Sequence, residues 1–163
     1  EKNQGPVLQR ASRLFATLTL GSFAGLRDDY NDRGEPVLVG LRSDGRTLVG
    51  VNGMSDGTRD QLYLALRLAS LEYYLEQNEP IPFIVDDILI QFDDDRAAAA
   101  LRVLAELADR TQVIFFTHHD YLTRVARNTV DADKLCVHRL PGPLGGGAVE
   151  RDDGVSRTLR DAK

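Results

Sequence analysis

Apolar residues first recur at helical spacing over residues 7–20, where Val7, Leu8, Ala11, Leu14, Phe15 and Leu18 share one face. Gly21 is placed to end that helix. The period then shortens. Pro36 to Leu41 and Thr47 to Val51 read as β runs on either side of Ser43-Asp44-Gly45-Arg46, and Asp-Gly between such runs predicts a hairpin. From Thr58 to about Gln77, Leu62, Ala65, Leu66, Ala69 and Tyr73 predict a long helix, closed by Pro80 and Pro82. Ile81 to Val85 is a continuous apolar run ending in Asp86-Asp87, the pattern of a buried strand with carboxylates at its C-terminal edge. A helix over Asp94–Asp109, a second buried strand over Gln112–Phe116, a short helix over about Tyr121–Arg127 and a last strand over Lys134–Leu140 follow. Strand–helix–strand–helix–strand over residues 81–140 predicts an α/β layer of parallel strands flanked by helices. Pro141–Gly147 reads as a Pro/Gly loop, and Glu150–Lys163 as a charged, mobile tail. No internal repeat is evident.

Composition narrows this picture without changing it. The chain has 163 residues, enough for one domain with a real core and too few for two comfortable ones. No apolar run approaches the ~20 residues that span a bilayer, so no membrane partner is expected. The opening Glu1-Lys2-Asn3-Gln4-Gly5-Pro6 lacks the layout of a signal peptide. Cys136 is the single cysteine, which excludes an internal disulfide and a multi-cysteine zinc site and fits a reducing, cytoplasmic compartment. A net charge of −5 makes the chain as a whole no electrostatic magnet for DNA.

Four features carry candidate chemistry. Met54-Ser55-Asp56-Gly57-Thr58-Arg59-Asp60-Gln61 opens the long helix. Serine there caps the helix, and a nearby glycine lets backbone N–H groups approach an anion. Capping alone would also explain it. Asp86 and Asp87 close a buried strand, where α/β proteins collect ligands; one can support Mg²⁺ and its neighbour can orient or deprotonate a water. Paired aspartates can equally serve a turn. Asp93 follows Asp86 by seven residues within Asp93-Asp94-Asp95, of which Asp94 and Asp95 suit a helix's first turn, one of them as its cap. His118 leaves the second strand in Thr117-His118-His119-Asp120, where His119 and Asp120 read as structural at a helix start.

This order resembles the signature motif, Walker B, D-loop and switch histidine of ABC-type ATPases. The wording of Gly57 to Ala69, Pro82 to Leu89 and Gln112 to His119 is most similar to the SMC/RecF/SbcC-like group, and within it to YhaN-type bacterial ATPases. The likeness runs from about Ala11 through Ala126. It implies the C-terminal lobe of a P-loop NTPase head, with ATP and Mg²⁺ as cofactors. Residues 1–20 would then end a coiled-coil arm, 21–53 form a β-rich segment, 54–140 the lobe, and 141–163 a loop and tail. Two heads would sandwich two ATP molecules. Ser55, Asp56, Gly57 and Gln61 would serve the nucleotide of the opposite head, Asp86 would support Mg²⁺, and Asp87 would activate water. His118 would sense the γ-phosphate and Asp93 would link the two sites. The implied partners are an N-terminal P-loop lobe of the same protein, a second head, DNA and a nuclease subunit.

Two departures matter. Gly-x-x-x-x-Gly-Lys-Ser/Thr needs a Gly-Lys pair, and none of Lys2, Lys134 and Lys163 follows a glycine. The chain alone is therefore expected to be inactive, as a fragment or split-gene product. Asp87 stands where most ABC ATPases have glutamate, which leaves the identity of the base open. Two rival readings are a metal-dependent phosphoesterase or nuclease built on Asp86, Asp87, Asp93 to Asp95, His118 and His119, and a non-catalytic dimerisation module.

Overall fold

The computed structural model describes residues 5–140 and 150–151. Helix α1 spans Pro6–Leu18; proline in its first turn presets φ, and Ala11, Phe15 and Leu18 are buried. It ends through two successive left-handed residues, Leu20 at φ 52° and Gly21 at φ 76°, with the Gly21 N–H donating to the Ala16 carbonyl at 2.9 Å. The predicted terminator is thus the residue that closes the helix.

A three-stranded antiparallel sheet follows in the order β1 (Phe23–Tyr30), β2 (Pro36–Arg42), β3 (Leu48–Gly50). The β2–β3 turn matches the Asp-Gly expectation. Asp44 Oδ1 accepts the N–H groups of Arg46 and Thr47 at 2.8 Å each, and Oδ2 accepts the Thr47 hydroxyl at 2.6 Å. Bonds from Thr47, then that from Arg46, hold the carboxyl down at about 2. A depressed folded-state value gives a stabilisation present above the unfolded value and lost as pH falls through the folded one. The stability gap between the native chain and Asp44→Asn should therefore be full above pH ~4 and close as pH falls towards 2, read by denaturant melts across that range.

Helix α2 (Asp56–Tyr74) follows a short 3₁₀ turn over Val51–Gly53 and buries Leu62, Leu64, Ala65, Leu68 and Ala69 against α1. It starts two residues earlier than its apolar pattern indicates, because Ser55 caps it. Tyr73, expected on the buried face, is exposed, with the Arg10 guanidinium 5.6 Å from its ring centre.

Strand β4 (Phe83–Asp86) pairs in parallel with β5 (Val113–Phe116), Phe83 opposite Val113 and Asp86 opposite Phe116. Helix α3 (Asp94–Leu107) connects them, and its alanines Ala97, Ala99 and Ala100 are buried. Helix α4 (Asp120–Thr129) packs on α3 through Leu122 and Ala126. One face of the parallel pair, Phe83 and Val85 with Val113 and Phe115, joins the core formed with α1, β1, α2, α3 and α4.

The expected third parallel strand over Lys134–Leu140 is corrected. Only His138–Arg139 (β6) is extended, and it pairs antiparallel with Glu150–Arg151 (β7) in a separate sheet. The physical reason lies in the side chains: His138 and Arg139 are exposed, and Leu135 alone of this stretch packs on the core. The Pro/Gly loop over 141–147, and the tail beyond Arg151, lie outside the described residues. Among the described residues no helix is long and apolar enough to cross a membrane.

Candidate functional site at the parallel strand edge

Asp87 follows the last residue of β4 with its backbone at φ 46°, the left-handed region that aspartate tolerates better than most residues. Its N–H donates to the Phe116 carbonyl at 3.0 Å, extending the parallel ladder one step past the strand. That bond fixes the carboxylate beside the residues leaving β5. There His118 Nδ1 meets Asp87 Oδ2 in a short contact, bringing together two residues far apart in the chain. The His118 side chain is 70% exposed and that of Asp87 23%, so the pair sits at a surface with the histidine outermost.

Desolvation pushes the Asp87 carboxyl up, but the nearby Thr117 hydroxyl, together with the His118 contact and charge, outweighs it. The group is held below its ordinary value and is ionised at neutral pH. Thr117 has no role assigned from the sequence, whereas His119 reads there as structural or, in the rival nuclease reading, as part of a metal site. The Thr117 oxygen also accepts the His119 N–H at 3.1 Å, and the His119 ring lies 3.9 Å from that of His118 and 5.8 Å from that of Tyr121. A polar residue directly after a buried strand was the available signal for Thr117.

Among the described residues, Asp87, His118 and His119 form the group able to hold a metal ion, with ligand atoms within 4.8 Å of one another. Asp86 is not in this group. It alternates with Val85 onto the other face of β4, exposed beside Phe116. Its free carboxylate oxygens suit a hard cation such as Mg²⁺.

The start of α2 forms a second region. Ser55 is exposed, its Oγ accepts the Thr58 N–H at 3.3 Å and shares a 2.8 Å bond with the Thr58 hydroxyl. It bonds Thr58 rather than Asp86. Asp56 is ion-paired with Arg59 one turn on. Gly57 is needed for close approach: a Cβ there would lie 2.9 Å from the Gln91 carbonyl oxygen. The start of α2 therefore rests directly on the segment that joins Asp87 to α3, which Leu89 and Phe92 anchor in the core.

Gln61 points into the protein. Expected to serve a nucleotide, it is 1% exposed, and its Nε2 donates to the Leu18 carbonyl at 2.6 Å. It faces inward because it lies one and a half turns into α2, on the side that meets α1. Asp93 stands at the start of α3. Its Oδ1 accepts the Arg96 N–H at 2.9 Å and its Oδ2 pairs with the Arg96 guanidinium at 3.1 Å, so Asp93, not Asp94 or Asp95, caps α3.

No protein-family model matches the chain. In structure it is similar, with a TM-score of 0.67 and 19% identity, to an SMC ATPase solved in work on ATP-driven dimerisation and DNA-stimulated activation, covering 90% of this chain and 83% of that one. The fold is that of an SMC ATPase head. The SMC head domain from Thermotoga maritima agrees, with a TM-score of 0.53 and 22% identity over 83% of this chain and 43% of that one. In sequence the chain is 30% identical over 117 residues to the uncharacterized protein YhaN of Bacillus subtilis (strain 168). The match covers 71% of this chain and 12% of YhaN, so the chain spans a small part of that relative's length. Within the SMC-head fold, Asp87 and His118 occupy the C-terminal edge of the parallel strands, where open α/β sheets collect ligands.

Proposed function

We propose that the chain is the C-terminal lobe of an ATP-hydrolysing head of the SMC/SbcC-like kind. The observation that carries this reading is Asp87 paired with His118 at the strand edge, beside a parallel strand pair whose second face the described residues leave exposed. Ile84 is 54% exposed and Phe116 44% exposed on that face. Parallel strands are ordinarily covered on both sides, so the apolar face calls for another layer. An N-terminal lobe carrying the P-loop is the cover we propose.

In the assembled head, Asp87 orients and activates the attacking water, and His118, outermost of the pair, contacts the γ-phosphate. Asp86 would hold Mg²⁺, which would supply charge neutralisation to the phosphates. Ser55 and the N–H groups at the start of α2 meet the nucleotide of a second head, where the helix N-terminus favours an anion. Asp56, taken up by Arg59, has a positioning role at most, and Gln61 holds α2 to α1. The segment from Asp87 to Asp93, with Gly57 resting on it, gives the two nucleotide sites a short mechanical link. A coiled coil entering through α1, DNA, and a nuclease subunit complete the proposed assembly. Catalysis of this kind is positioning and charge stabilisation.

The metal-dependent nuclease reading has the Asp87-His118-His119 group in its favour, but Asp93 is engaged as a helix cap and supplies it no free carboxylate. Calorimetry separates the two. The chain alone should neither bind Mg-ATP in the micromolar range nor hydrolyse it, and a separately expressed P-loop lobe should restore binding. Tight ATP binding by the chain alone would overturn the lobe assignment. Mg²⁺- or Mn²⁺-dependent phosphodiesterase activity without the second lobe would establish the nuclease instead.

A further inference from the structure

We propose that Asp87, His118 and His119 bind a borderline-soft divalent ion of the zinc class, at a site separate from the Mg²⁺ that accompanies ATP. Each residue offers one ligand atom, and these lie within 4.8 Å of one another. Two imidazoles and a carboxylate are a donor set for zinc, with water in the fourth position; Mg²⁺ prefers six oxygens.

A second observation points the same way. Asp87 Oδ1 and His119 Nε2 are both shut off from solvent and both lack a hydrogen-bond partner. Two such atoms in one cluster call for a ligand, because a buried polar atom left unpaired costs free energy. An ion between them satisfies both.

The backbone around the site is already fixed. The Asp87 N–H is held by Phe116, and the His119 N–H by Thr117. Ligands ~2.0–2.1 Å from a tetrahedral ion stand roughly 3.3–3.5 Å apart, so modest side-chain rotation closes the site. The ion replaces the direct Asp87–His118 contact. Because those two residues also carry the proposed hydrolysis, zinc and turnover compete, and zinc is an inhibitor. This consequence rests on the proposed function, whereas the site itself rests only on the geometry.

The experiment is calorimetric titration of the full chain with Zn²⁺, repeated with Co²⁺ while following the visible absorption of tetrahedral cobalt. Binding of one ion per chain is expected, undisturbed by excess Mg²⁺. Affinity should fall at least ~100-fold in His119→Ala and His118→Ala, since even outer-shell changes cost ~10–100-fold. His119→Gln, which keeps a polar side chain without the imidazole, should behave like His119→Ala and guards against misfolding. Cys136 and His138, whose Sγ and Nε2 lie 3.2 Å apart, are the competing ligands. Cys136→Ser and His138→Ala should leave binding unchanged.

No binding, or binding that survives His119→Gln and is lost in Cys136→Ser, overturns the site. The two proposals fail separately. One ion bound by a chain whose reconstituted head never hydrolyses ATP keeps the site and removes the inhibition, while an active head that ignores zinc removes the site and keeps the ATPase.

Discussion

In a head reassembled from this chain and a P-loop lobe, Asp87→Asn should slow ATP turnover by about 10²–10⁴-fold, the usual loss when a general base is removed. ATP-driven pairing of heads should persist and last longer. The substitution suits the site because asparagine also tolerates the left-handed backbone found at Asp87 (φ 46°). The carboxamide keeps a group in contact with His118, so the local geometry survives and the negative charge alone is lost.

The pH profile provides a second readout. Thr117 and His118 hold the Asp87 carboxyl below its ordinary value against the opposing effect of desolvation. A base works deprotonated, so the acidic limb of the wild-type rate profile should fall below the usual aspartate range and vanish in the variant. Unchanged turnover in Asp87→Asn would move the base elsewhere, with His118 the first candidate.

How much of this could be read from residues alone depended on whether a local pattern decided the outcome. The apolar runs before Asp86 and after Gln112, and the helical spacing from Leu62 to Ala69, became β4, β5 and α2 because burial and periodicity agree there. Strand β1 gave no such signal. It buries Phe23, Gly25 and Leu26 but carries Arg27 and Asp28 on exposed positions and Asp29 on a half-buried one, and a register shift breaks its alternation between Phe23 and Gly25. Its pairing with β2 and its contact with Ser12, whose hydroxyl accepts the Leu26 N–H at 2.8 Å, are tertiary facts. The same limit applies to Gln61, a polar side chain whose burial depends on the Leu18 carbonyl 43 positions away. Which of three consecutive aspartates caps α3 turned on where β4 releases the chain, and no residue type records that. At the strand edge the order of motifs nominated Asp87 and His118, but the place of Thr117 beside them became visible only once β5 lay beside β4.

Ser55→Arg should weaken ATP-dependent head pairing on the order of 100-fold or more, as expected when a central contact is lost, while nucleotide binding to the same head stays intact. Ser55 has two separable duties. It caps α2 by accepting the Thr58 N–H, and its exposed position at the helix N-terminus is the one proposed to meet the opposite head's phosphates. Ser55→Ala isolates the first duty, with a stability loss of about 1 kcal/mol from the missing cap. Ser55→Arg loses the cap as well and adds a long side chain where the partner must approach. The two variants should therefore melt alike and pair differently. Sizing with a non-hydrolysable ATP analogue should show dimers for wild type and monomers for Ser55→Arg, with Ser55→Ala between them. Dimers persisting in Ser55→Arg would mean that Ser55 is a helix cap and nothing more, and the nucleotide of a second head would have to be met elsewhere on this chain.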